Sequence, residues 1–317
     1  MENREQEIGR FLETEYGLKI QGVKLLPSGL VNDSYLIKTT EGDYIARVSS
    51  DKDKELVQFE VDALHQVAGV GIDTPVPMCS QAGESVTLFE NRPVILYPYI
   101  EGEMVKELSN DILRENGKFL ANLHKSIAAT AENGREVWDP EVLPNLYKDG
   151  RADLASISHP EIELVLSFLD KHLADWNNVP DLPKGFTHQD LKPSNVLVRD
   201  GHLVGVVDFD NSFYGSYLYD LLTTVLWSAY KEGVMDGEAA QSVLSGYQSV
   251  RPLTKSEVDY MLDAMRFRLI REVFIGPHAA KNDKVMAIDR SLDFIEKYHN
   301  FIQRDSKTLE IIIKKLY

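Results

Sequence analysis

The residues best placed to do chemistry lie between positions 186 and 210. Phe186-Thr187-His188-Gln189-Asp190-Leu191-Lys192-Pro193-Ser194-Asn195 runs into an apolar stretch, and Val206-Val207-Asp208-Phe209-Asp210 follows shortly after. An Asp, an Asn and a second Asp in that order suit phosphoryl transfer from ATP. One carboxylate takes the proton of an attacking hydroxyl; the other, with the amide carbonyl, offers hard oxygen ligands to Mg²⁺, which keeps few protein ligands when it also binds phosphate. Any one of the three reads equally well as a solvated turn residue; the set, with His188 and Lys192 beside it, points to a site.

Local geometry supports the pairing. Asn195–Val198 and His202–Val207 read as strands around Asp200-Gly201, a two-residue hairpin turn that needs positive φ at both central positions. If those two residues form the loop, Arg199 opposes His202 and Asn195 opposes Val206. Side chains alternate, so Val206 and Asp208 share a face, and Asn195 and Asp208 become diagonal neighbours roughly 7–8 Å apart at the backbone. Asp190 precedes Asn195 in a segment broken by Pro193, which lacks an N–H and biases Lys192 away from helix; this stretch is a loop feeding the hairpin.

Other elements must position this segment. An N-terminal helix is expected near Arg4–Tyr16, and strands at Val23–Leu26, Ser34–Thr39 and Tyr44–Val48. Leu56, Glu60, Ala63, Leu64 and Val67 repeat at helical spacing, and strand character returns at Val76–Met78, Val86–Phe89 and Pro93–Tyr97. After residue 100 the pattern is mainly helical. Leu113, Leu120, Leu123 and Ile127 form one stripe, a helix is expected at Glu161–Leu173, and Val258, Met261, Leu262, Met265 and Leu269 form another stripe behind a Thr254/Glu257 capping box. His124 follows Leu123 in the first of these stripes.

Composition narrows the class. A chain of 317 residues, 43% hydrophobic and 26% charged, is long enough for two lobes and ordinary for a globular protein. The start, Met1-Glu2-Asn3-Arg4-Glu5-Gln6-Glu7, is too charged for a signal peptide, and no apolar run reaches membrane-spanning length, so a cytoplasmic protein without a membrane partner is expected. The single cysteine, Cys79, allows no internal disulfide, which suits a reducing compartment. A net charge of −16 with no basic patch argues against nucleic acid as a partner. It mildly favours cationic or zwitterionic substrates and otherwise keeps the protein soluble.

His188-Gln189-Asp190 through Asn195 resembles the H-x-D-x-x-x-x-N catalytic loop of the protein-kinase-like superfamily, and Asp208-Phe209-Asp210 resembles its D-F-G with Asp in place of Gly. That change, Gly215-Ser216-Tyr217-Leu218-Tyr219-Asp220-Leu221, and the lack of an A-P-E-like segment point to the aminoglycoside phosphotransferase and choline kinase-like branch. The resemblance covers roughly Leu18–Tyr298. It implies an α+β, two-lobed protein-kinase-like fold: an antiparallel-sheet N-lobe over residues 1–99 for the nucleotide, and a mainly helical C-lobe over 100–317 with the catalytic loop, metal site and substrate site.

The resemblance also implies roles. Ser28, Gly29 and Asn32 would lie in the loop over the ATP phosphates. Arg47, where protein kinases carry Lys, would reach a phosphate and pair with Glu60. Tyr97–Tyr99 would form the hinge, its backbone toward adenine. Asp190 would be the base, Asn195 and Asp208 the Mg²⁺ ligands, and Lys192 would offset charge on the transferred group. Asp210 would assist the metal or meet a substrate ammonium, and Arg268 would meet a substrate carboxylate. Gly246–Thr254 and Met265-Arg266-Phe267-Arg268-Leu269 resemble homoserine kinases of this fold. The expected substrate is therefore a small alcohol, homoserine first. An aminoglycoside, choline or amino sugar is the alternative, and a catalytically weak kinase-fold binding protein the remaining one. The acceptor is expected to be read by residues of about 130–183 and the C-terminal helices.

Overall fold

The computed structural model describes residues 2–27, 32–50, 53–68, 72–126, 140–173, 176, 179–280 and 284–316. In chain order the first elements are α1 (Glu2–Tyr16), β1 (Ile20–Leu25), β2 (Asp33–Thr39), β3 (Asp43–Val48), α2 (Lys54–Val67), β4 (Thr87–Phe89), β5 (Arg92–Pro98) and β6 (Glu103–Met104). Then come α3 (Asn110–Ser126), α4 (Leu143–Ala155), α5 (Ile162–His172), β7 (Lys184–Thr187), β8 (Val196–Arg199), β9 (His202–Val206) and β10 (Phe213–Ser216). The chain continues through α6 (Tyr217–Ala229), β11 (Tyr230–Lys231), β12 (Val234–Met235), α7 (Gly237–Gln248), α8 (Lys255–Ala279), α9 (Lys284–Asn300) and α10 (Ser306–Leu316).

Two compact units result. The first takes in described residues of 1–105 together with 194–210; the second takes in those of 106–193 and 211–317. This differs from a simple division at residue 100, because the β8–β9 hairpin belongs to the first unit, where β8 pairs with β6.

The first unit is built on an antiparallel sheet ordered β1-β2-β3-β5-β4. Both faces are covered, and period-two alternation sorts the side chains. Ala46 and Val48 of β3 and Val94 and Leu96 of β5 pack in a core with Ile8 and Leu12 of α1. Ile95 turns the other way and packs with Val57 and Val61 of α2, with Tyr97 against them. Asp53 caps α2 by accepting the N–H of Leu56 at 2.9 Å. The strand expected at Val76–Met78 does not form: Pro75 and Pro77 remove alternate N–H donors, leaving Met78 N–H to reach Leu96 O at 2.7 Å.

The second unit is mainly helical. Gly117 of α3 and Gly246 of α7 permit a close crossing: a Cβ on Gly117 would stand 2.1 Å from Val243 O, and one on Gly246 2.1 Å from Arg114 O. The capping box at α8 is present, with Glu257 N–H donating to Thr254 Oγ1 at 3.3 Å and Thr254 N–H to Glu257 Oε2 at 2.8 Å. Among the described residues, no helix is long and apolar enough to cross a membrane.

Candidate functional site

The chemistry-bearing residues of the first unit gather at one end of β8–β9 and along β3, β5 and α2. The Asp200-Gly201 turn has the expected positive φ values, 52° and 79°. The register beyond it does not follow simple alternation. Arg199 pairs with His202 and Val198 with Leu203, but a bulge then sets Leu197 opposite Gly205 and Val196, not Asn195, opposite Val206. Asn195 ends a 3₁₀ turn, Pro193–Asn195, and accepts the N–H of Val207 on its backbone oxygen at 3.0 Å. That bond holds the two chain ends side by side and delivers Asp208 directly after it. Asp208 has φ 64°, so a left-handed residue, not strand alternation, aims it. Asn195 is buried and Asp208 is exposed.

Arg47 and Glu60 form a buried fork-to-fork pair: Nη1 donates to Oε1 at 2.8 Å and Nη2 to Oε2 at 2.6 Å. Alternation along β3 brings Arg47 to the α2 side of the sheet, where Glu60 waits. Asp210 stands 3.8 Å from Arg47 Nη1, inside the 3₁₀ turn Phe209–Asn211. Burial opposes the Arg47 charge, but Glu60 and then Asp210 outweigh it and hold the guanidinium above its ordinary range. The buried carboxylate of Asp210 faces Arg47, placed there by the turn at 209–211 and not by strand alternation. Tyr97 is half-buried, its phenol pushed up to about 12 by burial, with Arg47 pulling down and Asp208 and Glu60 adding to the rise. Tyr97, Arg47, Glu60 and Asp208 thus share one electrostatic neighbourhood.

Tyr99 is exposed, and its N–H donates to Asp43 O at 2.9 Å, so that amide is engaged within the sheet. Asn32 accepts the N–H of Ser50 on Oδ1 at 3.4 Å. Ser28 and Gly29 lie outside the described residues, as do Ile127 and, of the expected substrate-reading stretch, positions 130–139, 174, 175, 177 and 178.

The second unit holds the loop of Asp190. Lys192 Nζ donates to Asp190 Oδ2 at 2.6 Å, and Asp190 N–H approaches His188 Nδ1 at 3.3 Å. The loop is clamped from below by Asp220, which is fully buried on α6. Asp220 Oδ2 accepts the N–H of His188 and Oδ1 that of Gln189, both at 2.7 Å. Gln189 adopts φ 64°, a conformation the two bonds impose on the residue just before Asp190.

A directed chain of hydrogen bonds supports Asp220. Burial holds His124 below its ordinary range despite the pull of Asp220, so the ring is neutral. Its Nε2–H donates to Asp220 Oδ2 at 3.0 Å, and its Nδ1 accepts from the Tyr247 hydroxyl at 2.7 Å. Arg251 donates to that hydroxyl at 3.1 Å and to Glu257 at 3.0 Å. Burial works against the Asp220 charge as well, but its bond and attraction to His124 and then His188 bring it below the usual carboxylate range. Sequence reasoning quoted Asp220 only as part of a resemblance; its one signal was an acid among apolar residues in a helix buried nearly all round.

Arg268 is not the exposed helical residue that a solvated face would give. It is 1% exposed on α8 and donates to Glu272 at 3.1 Å.

As a donor set, Asn195 and Asp208 fit a hard divalent cation: one exposed carboxylate and one amide, both oxygen donors. Among the described residues no cluster of three His, Cys, Asp or Glu suits a metal, so such an ion would depend on phosphate and water for its other ligands.

Comparison with known proteins shows the family and the fold. The pattern of the family described as "Phosphotransferase enzyme family" matches residues 22–253. The chain is 28% identical over 288 residues to the homoserine kinase of Rhizobium meliloti (strain 1021), covering 84% of this chain and 83% of that one. It is 29% identical over 243 residues to the homoserine kinase of Gluconobacter oxydans (strain 621H), covering 73% and 74%. Among solved structures, an amicoumacin kinase superimposes with TM-score 0.71 at 17% identity, over 94% of this chain and 92% of that one. A microcompartment-associated aminopropanol kinase does so with TM-score 0.67 at 22% identity, over 95% and 98%. These likenesses show a shared fold, a small antiparallel-sheet lobe with a mainly helical remainder.

Proposed function

Because the chain belongs to the phosphotransferase enzyme family, we propose that it transfers the γ-phosphate of ATP to the hydroxyl of a small molecule, and that the acceptor is homoserine. The observation that carries the chemistry is the clamp on the loop of Asp190: two 2.7 Å bonds to a buried carboxylate fix the backbone on which the base is mounted. Similarity to homoserine kinases over most of the chain supports the acceptor.

In this reading Asp190 accepts the proton of the acceptor hydroxyl as its oxygen bonds to the γ-phosphorus and the bond from that phosphorus to the bridging oxygen breaks, releasing ADP. Lys192, 2.6 Å from Asp190 Oδ2, keeps that carboxylate oriented and offers positive charge to the transferred group. Arg47, locked by Glu60 and Asp210, is a permanent cation on the nucleotide side. Tyr97 and Tyr99 stand along the hinge strand, and Asn32 follows the loop expected over the phosphates. Asn195 and Asp208 would hold Mg²⁺, which when bound neutralises phosphate charge. On the acceptor side, Arg268 is the residue assigned to a carboxylate.

An ATPase-coupled assay against homoserine, aminoglycosides, choline, amino sugars and aminopropanol tests the proposal. Turnover with homoserine is expected. Asp190→Ala should lose about 10²–10⁴-fold in kcat, the usual worth of a positioned base, with ATP affinity nearly unchanged. Turnover of aminoglycosides alone would sink the acceptor assignment, and near-normal turnover by Asp190→Ala would sink the base.

A further inference from the structure

The Tyr247 hydroxyl, fully buried on α7, stands between two nitrogens that together fix the direction of its proton. His124 Nδ1 lies 2.7 Å away and Arg251 Nη1 3.1 Å away, and among the described residues the hydroxyl bonds to nothing else. A guanidinium can only donate, so the hydroxyl oxygen accepts from Arg251 and its single proton is left for Nδ1. Nδ1 is then an acceptor, and the ring carries its proton on Nε2, which donates to Asp220 Oδ2 at 3.0 Å. A second proton, on Nδ1, would set two donors against one oxygen and strand the hydroxyl proton inside the fold. The direction of the whole chain is therefore set at Arg251.

Arg251 is itself held in place. The same Nη1 donates to Glu257 Oε1 at 3.0 Å, and Glu257 belongs to the capping box of α8, its Oε2 accepting from Thr254 N–H at 2.8 Å and from Thr254 Oγ1 at 3.0 Å. The guanidinium carbon lies 4.7 Å from the centre of the Tyr217 ring, and that ring stacks on His124 at 4.3 Å between centres. The groups around His124 are thus Tyr217 and Asp220 from α6, Tyr247 from α7 and, beyond Tyr247, Arg251 and Glu257; His188 acts on Asp220 from the loop of Asp190. Burial, with Arg251 adding, opposes a charge on the ring, while Asp220 and Glu257 favour one.

We propose that Arg251 is a positioning residue for the base: through Tyr247 it reserves His124 Nδ1 as an acceptor, so that Asp220 keeps its charge for the amides of His188 and Gln189. This deepens the phosphotransferase reading, on which it rests. With Arg251 removed, the hydroxyl is free to turn, to accept from Nδ1 and so to admit an imidazolium. That cation draws on the Asp220 charge, and the two 2.7 Å bonds that hold the loop of Asp190 weaken from charge-assisted toward neutral strength.

The test compares Arg251→Met with Tyr247→Phe at about pH 8 and about pH 6, either side of the ordinary histidine value. For Arg251→Met, the ratio of wild-type to variant kcat should rise by about tenfold from the higher pH to the lower, short of the 10²-fold that a displacement near 1 Å costs, with KM for ATP little changed. Tyr247→Phe keeps the ring but leaves Nδ1 nothing to donate to, so its ratio to wild type should be the same at both pH values. Nitrogen NMR of histidine-labelled protein, with His124 assigned by its loss in His124→Gln, reads the ring directly. Arg251→Met should show an imidazolium at the lower pH, and wild type and Tyr247→Phe a neutral ring protonated on Nε2. An equal loss at both pH values in Arg251→Met, the result of a merely structural role, overturns the inference. So does a pH-dependent loss in Tyr247→Phe, or a neutral ring in Arg251→Met at the lower pH. Should Arg251→Met fail to fold, the wild type decides: a coupling across the hydrogen bond from the Tyr247 hydroxyl proton to Nδ1 supports the inference, and a proton on Nδ1 overturns it. Transfer with a flat ratio overturns the inference and leaves the phosphotransferase reading standing; no transfer to any alcohol overturns both.

Discussion

Replacing Asp220 with Asn tests whether a buried carboxylate, remote from the transferred phosphate in its role, sets the position of the base. Asp220 accepts three bonds, from His188 N–H and Gln189 N–H at 2.7 Å and from His124 at 3.0 Å. Asn keeps one acceptor oxygen and puts an NH₂ in place of the other. With the oxygen kept toward His188 and His124, the Gln189 N–H loses its acceptor and faces another donor. A bond to a charged group is worth about 1.5–3 kcal/mol, and the two retained bonds weaken by roughly half on losing the charge. The expected loss of stability is about 3–6 kcal/mol, read as a lower urea midpoint at unchanged slope. Gln189 is held at φ 64° by that lost bond. Its relaxation carries Asp190 with it, and a displacement near 1 Å costs on the order of 10²-fold in rate. The coupled assay should therefore show kcat falling by about that factor, while KM for ATP changes little because the nucleotide-side residues belong to the other unit. A kcat within about threefold of wild type in a folded, destabilised variant would refute the positioning role, and a stability loss below about 1 kcal/mol would refute the count of bonds.

Three further outcomes follow from the same geometry. Glu60→Gln should cost about 2–4 kcal/mol, below the full penalty for breaking a buried ion pair because Asp210 at 3.8 Å still compensates Arg47; ATP affinity should fall with it, and an unchanged urea midpoint would contradict the pairing. Gly117→Ala should destabilise by about 3 kcal/mol, since its Cβ would stand 2.1 Å from Val243 O; a neutral result would show that the α3–α7 crossing relaxes freely. His124 is kept below its ordinary value by burial, so the unfolded chain takes up that proton first and stability falls as pH drops below about 6.5. His124→Gln should flatten the urea-midpoint curve between about pH 7 and 5, with His172 and His278 contributing equally to both proteins; an identical slope would show that His124 is not held neutral.

Much of the site was legible because its signals are local. Asp200-Gly201 could only be a tight turn, since it supplies two residues that tolerate positive φ, and the turn appears where it was read. The Thr254/Glu257 box and the helical stripes likewise depend on neighbours a few positions away. The errors came where a local rule met a longer constraint. Period-two alternation was carried through β9 to Asp208, but a bulge next to Leu197 and a left-handed Asp208 break it. Asp210 lies in the turn at 209–211, so alternation does not place it either, and it stands 3.8 Å from Arg47. The strand expected at Val76–Met78 fails because Pro75 and Pro77 deny it a ladder.

The order Asp190, Asn195, Asp208 was enough to indicate phosphoryl transfer, because the donor types and the turn between them are written in contiguous residues. Burial and long-range pairing were not. That Asp220 clamps the loop of Asp190, that Glu60 closes on Arg47 across 13 positions, and that Arg268 and Arg271 are enclosed beside Glu272 follow only once helices and sheet are packed. A helical sequence shows where a charged residue sits on its own surface; whether that surface faces water or another charge is decided by elements far away in the chain.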